Sequence, residues 1–471
     1  FGWPKKMSPL TKYAVQYLFV QSEFGLMCPI STTDTSAYLI SKYAKPDIRK
    51  RYFPRLTAEK YQDMITGAQF MTEQSGGSDV GNIEVEARLE DGVWHIYGNK
   101  WFCSTTDGGL IMILARIEGH PWSSRGLSLF AVPRTMENGS RNAYKIVRLK
   151  SKMGSRSMAS GEVTFNGAEA YLLGNQNNGL KQMLDMVNLS RLSHGVRASA
   201  MMRRCLNETM SVARNRYTFG ERLINHPLMR RQIMKTMLPT EQALSSFMFT
   251  AHIMEKADDG DDEAARALRI LTPMIKGRMC RDNIKVATAA MEARGGNGYI
   301  EEWVNARLVR DAHLGVVWEG TSSIVALDVV KRAIPKVQAH EALGGQLHQA
   351  IEDAESVPGQ YRGELSAMVD QAVRFAGQVA EKDEYECFSR QASNALYHVM
   401  SAVLLAREGA AMGEKTGDAS RLLLSKLVID HKLRPHNPMS LEGSGAEDKA
   451  SELLLDEDSP GLDRARAALA V

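Results

Sequence analysis

The residues best suited to chemistry form one short run, Trp318-Glu319-Gly320-Thr321, which follows the apolar residues Val316 and Val317. A carboxylate between an aromatic residue and a glycine can lie at the mouth of an apolar pocket, where desolvation raises its pKa. Such a carboxylate can act as a general base toward a weakly acidic C–H bond. The alternative is a helix N-terminus, in which Glu319 and Thr321 satisfy free backbone N–H groups. Taken alone the run favours the helix terminus, but the rest of the chain reverses that preference.

A second candidate is the loop of residues 72–80, which is rich in glycine and serine and follows a short apolar run. Its hydroxyl and backbone N–H groups could surround the polar edge of a ring or a pyrophosphate. It is not a Walker loop, because no Gly-Lys-Ser/Thr follows it. The alternative is an ordinary turn after a strand.

The stretch Lys100-Trp101-Phe102-Cys103-Ser104 is a predicted strand that carries two large rings and then a hydroxyl. The rings could stack on a flat heterocycle while the hydroxyl bonds to its edge. Alternatively, both rings fill the core of a β domain.

Two glycine-containing stretches complete the set of candidates. Arg216-Tyr217-Thr218-Phe219-Gly220 ends a predicted helix and could clamp a phosphate, although Gly220 as a helix C′ cap explains it equally. Arg294-Gly295-Gly296-Asn297-Gly298 stops another helix, and its three glycines in four residues suggest close approach of the backbone to a ligand. A Rossmann interpretation is poor, because no strand precedes this loop and its glycine spacing differs.

The length and composition of the chain limit the class of protein to which it can belong. A chain of 471 residues predicts two to four folding units, and 44% hydrophobic with 24% charged residues is typical of soluble globular proteins. No apolar run is long enough to span a membrane. The five cysteines are dispersed without metal-ligand spacing, which indicates reduced thiols, a cytoplasmic setting and no metal site.

Charge is distributed unevenly along the chain. From Lys336 onward there are 22 acidic and 14 basic side chains, whereas the formal charge of the whole chain is +3. A basic body suits phosphate-bearing ligands. An acidic tail does not suit DNA, because neutralising phosphates requires lysine and arginine.

The elements that must position these residues fall into four predicted domains. Residues 1–66 are helical, and since the chain starts at Phe1 within this layer we expect a preceding segment. Residues 67–175 alternate with a period of two, with a hairpin turn at Asp91-Gly92, and predict a small antiparallel β-barrel or sandwich. Residues 176–335 predict a four-helix bundle, and residues 336–471 an additional helical C-terminal domain. The predicted fold class is therefore α+β and multidomain.

These stretches, in this order and spacing, resemble the acyl-CoA dehydrogenases over roughly residues 10–335. The resemblance is carried by Met71-Thr72-Glu73, Arg216-Tyr217-Thr218-Phe219-Gly220, Gly295-Gly296-Asn297-Gly298 and Trp318-Glu319-Gly320-Thr321. The adaptive-response flavoprotein branch of that family is the most similar, on the evidence of Pro227-Leu228-Met229-Arg230, Lys100-Trp101-Phe102 and the long helical tail. The resemblance implies FAD as the cofactor, an acyl-CoA as the substrate and electron-transfer flavoprotein or a similar acceptor.

The resemblance also assigns roles to individual residues. It implies contacts with the flavin from Met71, Thr72, Gly77, Ser78, Phe102 and Ser104. Contacts with the pyrophosphate and adenosine would come from the neighbouring subunit, by Arg216, Phe219, Glu292, Gly295 and Gly296, and Thr321 and Ser323 would contact a phosphate. Contacts with the substrate would be made by Arg191, Ser78 and Trp318. Phe102 replaces the usual tryptophan, Ser104 a threonine and Glu292 a glutamine. Arg191 could equally make an ordinary interhelical contact. A shared FAD site implies a homo-oligomer, either a tetramer or a dimer of dimers.

Glu319 falls on the family's catalytic base. The implied reaction removes the α-proton of an acyl-CoA thioester while a β-hydride passes to the flavin, and gives the 2,3-enoyl-CoA. Some branched-chain members place the base on another helix, where this chain has Ser190, which cannot abstract the proton. Two alternatives remain: a flavoprotein of the DNA damage response with vestigial dehydrogenase activity, which the acidic tail disfavours, and a flavin oxidase of the same fold.

Overall fold

The computed structural model describes residues 7–469 apart from 436, 438, 442 and 443. The α-helices are, in chain order, α1 (Pro9–Val20), α2 (Met27–Tyr43), α3 (Pro46–Leu56), α4 (Gly179–Asn215), α5 (Pro227–Asp258), α6 (Asp262–Arg294), α7 (Val304–Ala312), α8 (Ser322–Leu327), α9 (Ile334–Val337), α10 (Ala339–Glu352), α11 (Gly359–Glu381), α12 (Ser389–Thr416), α13 (Ser420–Val428), α14 (Ser444–Leu455) and α15 (Leu462–Leu469). The strands are β1 (Gly67–Phe70), β2 (Glu86–Glu90), β3 (Val93–Ser104), β4 (Leu110–Ile117), β5 (Leu127–Pro133), β6 (Tyr144–Leu149), β7 (Ser160–Leu173), β8 (Tyr217–Thr218) and β9 (Glu221–Arg222).

The described chain packs as two compact units. Unit 1 contains Glu23–Ser193, and unit 2 contains Ser8–Ser22 together with the chain from His194 onward. The helical, β and tail elements appear where the sequence predicted them, which confirms the fold class, whereas the four-domain division stays a prediction. No helix in the described parts of the chain is both long and apolar enough to cross a membrane.

Unit 1 is built around a closed sheet. Its strands follow the order β1-β4-β2-β3-β7-β5, a β4–β5 pairing closes the ring, and β6 pairs with β7. The sheet is mixed rather than purely antiparallel as predicted, because β4 runs parallel to both β1 and β2. Local alternation predicts a strand but carries no information on its partner's direction.

Local chemistry explains the strand bounds. The predicted hairpin turn joins β2 to β3, with Asp91 at φ +49° and Gly92 at φ +83°, the left-handed conformations that a two-residue hairpin requires. Residues of β4 and β5 are buried on both faces, so they form continuous apolar runs. The core of unit 1 includes Phe70, Phe130 and Phe165.

Unit 2 is a helical bundle that contains α4 from His194 onward, α5 and α6. Over their full lengths these three helices have 37, 32 and 33 residues. An acidic run at residues 258–262 separates two of these helices. α5 ends at Asp258, and the Asp261 side chain caps α6 by accepting a hydrogen bond of 2.9 Å from the N–H of Ala264. The fourth helix of the bundle is shorter. It consists of α8, a π-helical turn at Asp328–Ala333 and α9.

Candidate active site

Glu319 lies in the turn between a 3-10 helix at His313–Val316 and α8. Its φ of +54° is left-handed, and Gly320 follows with φ +95°. A left-handed conformation costs a residue with a β-carbon free energy, and residues held in this way are enriched at functional sites as well as in tight turns. Thr321 is the N-cap of α8, but its side chain accepts no capping hydrogen bond. The run therefore is a helix N-terminus, but the Thr321 side chain does not satisfy the free backbone N–H groups of α8.

Two side chains of α4 pack against the neighbouring Trp318. The His194 ring meets the indole edge to face at a centroid distance of 4.4 Å, and the Arg197 guanidinium carbon lies 5.2 Å from the indole centroid. Only 3% and 1% of these two side chains are exposed. The turn that carries Glu319 is thus supported by two buried side chains of α4, one of which is the Arg197 guanidinium.

The loop of residues 72–80 is fixed to β3 by a buried ion pair. The Lys100 ammonium lies 2.6 Å from Oε1 of Glu73 and donates a further bond of 3.1 Å to the carbonyl of Met71. The Trp101 N–H donates to the carbonyl of Thr72 at 2.9 Å. Gly77 packs on Thr72 so closely that an added Cβ would lie 2.9 Å from its hydroxyl oxygen. The loop is therefore more than a turn after a strand, and its outer residue Ser78 is exposed.

Phe102 points away from the core of the β domain. Its side chain is 56% exposed, whereas the next residue, Cys103, is fully buried, as alternation along a strand requires. The Trp101 ring lies beside it at a centroid distance of 6.4 Å, and the Lys150 ammonium is 3.4 Å from the Trp101 centroid and 5.0 Å from the Phe102 centroid. The core-filling alternative is therefore wrong for Phe102. Burial raises the pKa of the Cys103 thiol to about 12, which excludes it as a nucleophile.

Arg216 and the glycine turn after α6 are brought together in unit 2. Arg216 donates a bond of 3.3 Å to the carbonyl of Arg294, and its guanidinium lies 3.5 Å from the position of a Cβ on Gly295. Gly295 ends α6 with φ +75°, and Gly298 lies so close to the Met291 carbonyl that a Cβ would be 2.2 Å away. Gly296, by contrast, is exposed with no atom within 4 Å of an added Cβ. The helix-stop interpretation explains Gly295 and Gly298 but not Gly296.

The sequence suggested that Gly220 is a helix C′ cap, but in the structure it is not. Phe219 and Gly220 have φ of +54° and +91° and form the two-residue turn of the β8–β9 hairpin. Periodicity did not reveal this hairpin, because each strand is only two residues long. Phe219 is 98% exposed.

The remaining candidates occupy less specific positions. Arg191 is buried on α4 and contacts Asn188 at 3.4 Å; Ser104 is half-buried; and Thr321 and Ser323 are exposed. Glu292 is exposed and accepts a bond of 3.2 Å from Gln232. In the described chain, no group of three or more His, Cys, Asp or Glu side chains is arranged to hold a metal ion.

Sequence reasoning missed the charged residues that hold these loops. Besides the Lys100–Glu73 pair, Arg294 forms an ion pair with Glu208, donates to Asn305 at 2.7 Å and stacks on Trp303. Lys276 of α6 is buried and donates a hydrogen bond to the Gly320 carbonyl. A lysine within an apolar helical stripe, as in Met274-Ile275-Lys276, is the signal that could have revealed such a residue.

A closed sheet followed by a bundle of long helices, with an acid in a left-handed turn near the end of the bundle, is an arrangement that family models recognise. Residues 68–168 match the acyl-CoA dehydrogenase middle domain and residues 177–334 the acyl-CoA dehydrogenase C-terminal domain. The chain belongs to the acyl-CoA dehydrogenase family.

Relatives place the chain more narrowly within this family. It is 34% identical over 323 residues to the putative acyl-CoA dehydrogenase AidB of Escherichia coli, which is 67% of this chain and 58% of that protein. It is 28% identical over 365 residues to acyl-CoA dehydrogenase family member 11 of Caenorhabditis elegans, which is 74% of this chain and 59% of that protein. The chain thus spans less than two thirds of either relative. The structure of C. elegans ACDH-11 in complex with C11-CoA shares the fold, with a TM-score of 0.84 at 24% identity over 97% of this chain and 80% of that one.

Proposed function

We propose that this protein is an FAD-dependent acyl-CoA dehydrogenase in which Glu319 is the catalytic base. The observation that carries the proposal is the backbone of Glu319, which is held at φ +54° in a half-buried turn between Trp318 and Gly320. A carboxylate fixed in this way is poised to accept a proton, and positioned general bases contribute on the order of 10²–10⁴ in rate.

The described residues fit a flavin dinucleotide. In unit 1 the exposed Phe102 ring offers an apolar face beside the Thr72–Gly77 contact, and Ser78 and Ser104 offer hydroxyl groups. In unit 2 the Arg216 guanidinium beside Gly295, and the open backbone at Gly296, suit a pyrophosphate and its nucleoside. Met71, Phe219, Glu292, Thr321 and Ser323 would complete the contacts that the family implies. When bound, FAD supplies the acceptor for the β-hydride and its two electrons.

Glu319 would remove the α-proton of the thioester, so that its carboxylate becomes a carboxylic acid as the C=C bond of the 2,3-enoyl-CoA forms. Its backbone N–H would donate to the thioester carbonyl, which acidifies the α-carbon. Trp318 would contact the substrate from the adjacent position in the turn. Arg191 and Ser78 are the other proposed substrate contacts.

The remaining properties follow from the family. A shared FAD site would require a homo-oligomer, either a tetramer or a dimer of dimers, and reoxidation would require electron-transfer flavoprotein or a similar acceptor. A cytoplasmic location is proposed from the dispersed thiols. Since ACDH-11 was solved with C11-CoA, thioesters of medium length are the first substrates to test.

Anaerobic bleaching of the bound flavin by a panel of straight, branched and aromatic CoA thioesters tests the proposal. At least one thioester should bleach the wild-type protein, and Glu319→Gln should retain flavin yet lose bleaching by at least about 10³-fold. Glu302→Gln, at an exposed carboxylate nearby in sequence, is the matched control. Reduction of E319Q at the wild-type rate would remove Glu319 from this role, and rapid reoxidation of the reduced flavin by air would favour an oxidase.

A further inference from the structure

The turn that carries Glu319 is attached to α6 by a buried lysine. Lys276 has 1% of its surface exposed and donates a hydrogen bond from its ammonium group to the carbonyl of Gly320, the residue that follows Glu319. Burying an ammonium group costs free energy even when it is hydrogen-bonded. A chain that needed only apolar packing here would be more stable with methionine or leucine, so the lysine requires another explanation.

Neighbouring contacts show that α6 is shaped to receive this turn. Gly277 lies under Val325 of α8, where a Cβ would be 2.8 Å from the valine Cγ2. Gly315, just before the turn, lies against Cys280, with 2.9 Å between an added Cβ and the thiol sulfur. Seven residues before Lys276, and thus about two turns away on the same face of α6, Arg269 forms an ion pair of 2.6 Å with Asp328.

Two cations of one helix face therefore hold the two ends of α8. The Arg269–Asp328 pair fixes its C-terminal end, and the Lys276–Gly320 bond fixes the turn before its first residue. The side chain of the N-cap, Thr321, makes no capping bond that could replace the lysine. With Gly320 held, the left-handed backbone of Glu319 is held as well, because the two residues are consecutive.

We propose that Lys276 is a positioning residue for the Glu319 base, acting through its hydrogen bond to the Gly320 carbonyl. This inference rests on the proposed function. Without the bond, the Glu319 carboxylate is no longer confined to one location. Misplacement of a catalytic group by about 1 Å costs on the order of 100-fold in rate. Thioester affinity should change less, because the proposed substrate contacts of Arg191 and Ser78 lie outside this turn.

Three variants test the proposal. Lys276→Met should lower the rate constant of flavin reduction by about 10- to 100-fold, with the thioester dissociation constant changed less than about threefold. Lys276→Gln, which keeps an N–H donor, should recover much of this loss. Met274→Ala is the matched control, because Met274 is equally buried on α6 but two residues away, and therefore directed to another side of the helix.

Amide hydrogen exchange gives a second readout that needs no turnover. In K276M, peptides that cover residues 314–327 should exchange at least about tenfold faster than in the wild type and in M274A, because local opening becomes easier. The proposal is overturned if K276M reduces flavin within threefold of the wild type, if M274A reproduces the rate loss, or if exchange at 314–327 is unchanged. A wild-type protein that no thioester bleaches would instead refute the proposed function, and the exchange result would still decide whether Lys276 holds the turn.

Discussion

The Lys100 ammonium and the Glu73 carboxylate are 2.6 Å apart, and both side chains are almost completely buried. The carboxylate also accepts backbone bonds from Glu84 at 2.6 Å and from Val85 at 3.3 Å. Burial lowers the pKa of Lys100, and the charge of Glu73 opposes that shift. This pair joins the loop of residues 72–80 to β3 and to the start of β2.

Removing one partner of this pair should destabilise the protein strongly. Lys100→Met leaves a buried carboxylate without its counter-ion, and such a change typically costs about 3–5 kcal/mol in the free energy of unfolding. Urea denaturation measures this loss. The double variant E73Q/K100M should lose less than the sum of the two single variants, because neither charge is then left alone. A K100M loss no larger than that of Arg148→Met, which removes an exposed arginine from its ion pair with Glu162, would contradict the expectation.

The stability of unit 2 should fall in mild acid because of His398. This imidazole is 6% exposed, and its Nδ1 accepts a hydrogen bond of 3.1 Å from the Gln242 amide. Burial, followed by the charges of Arg278 and Lys432, holds the pKa of His398 well below its ordinary 6.5. Below pH 6.5 the unfolded chain binds a proton that the folded chain does not. The free energy of unfolding should therefore decrease by about 1.4 kcal/mol per pH unit from this group alone.

His398→Asn isolates this contribution. Asparagine keeps an acceptor for Gln242 but does not titrate, so the variant should be less stable at pH 7.5 and yet lose less stability between pH 6.5 and 5.5. Chemical denaturation over this range measures both slopes. Burial also lowers the pKa of His252 and His340, and both remain in the variant, so only the difference between slopes reports on His398. Parallel curves would show that His398 is protonated in the folded protein.

The sequence predicted which residues form helices and strands because those signals are local. The alternation around Val85, Ala87 and Leu89, the Asp91-Gly92 turn and the acidic break before α6 all act within a few residues. It did not predict that β4 runs parallel to β1, or that the acidic tail helix α14 pairs its Glu447 and Glu452 with Arg231 and Arg230 of α5. These features join residues that are distant in the chain.

The candidate site likewise has features that the sequence predicted and features that depend on contacts between residues distant in the chain. Motif spacing identified Glu319, Thr72, Arg216 and Gly295, and the structure joins Arg216 to the glycine turn. The residues that hold these loops escaped notice, because Lys100 and Lys276 resemble surface lysines in sequence. Packing shows that both ammonium groups are buried, and the apolar neighbours of Lys276 were the one sign of this in the sequence.

Two glycines of one turn should respond differently to alanine. Gly298→Ala places a methyl group 2.2 Å from the Met291 carbonyl, so the turn must shift and the melting temperature should fall. Gly296→Ala meets no atom within 4 Å and should leave the free energy of unfolding within about 0.5 kcal/mol of the wild type.

If the backbone of Gly296 approaches the nucleoside of FAD, G296A should nevertheless bind flavin at least about tenfold more weakly. Gly345→Ala, equally open but on α10, should leave flavin affinity unchanged. Equal flavin affinity in G296A would remove Gly296 from the cofactor site.

Phe219 should matter for flavin retention and not for folding of the chain. It is 98% exposed at the tip of the β8–β9 hairpin, with φ +54°, so it contributes almost no packing within the chain and adopts a conformation that glycine accepts more readily. Phe219→Gly should therefore change the free energy of unfolding of the apo chain by less than about 1 kcal/mol.

If the ring covers FAD bound to a neighbouring subunit, F219G should release flavin during gel filtration. Light scattering would report any loss of assembly. Tyr61→Ser provides the control and should retain flavin, because Tyr61 is also an exposed aromatic residue but lies in unit 1. An F219G protein that keeps both its flavin and its wild-type mass would leave the hairpin without a role in the cofactor site.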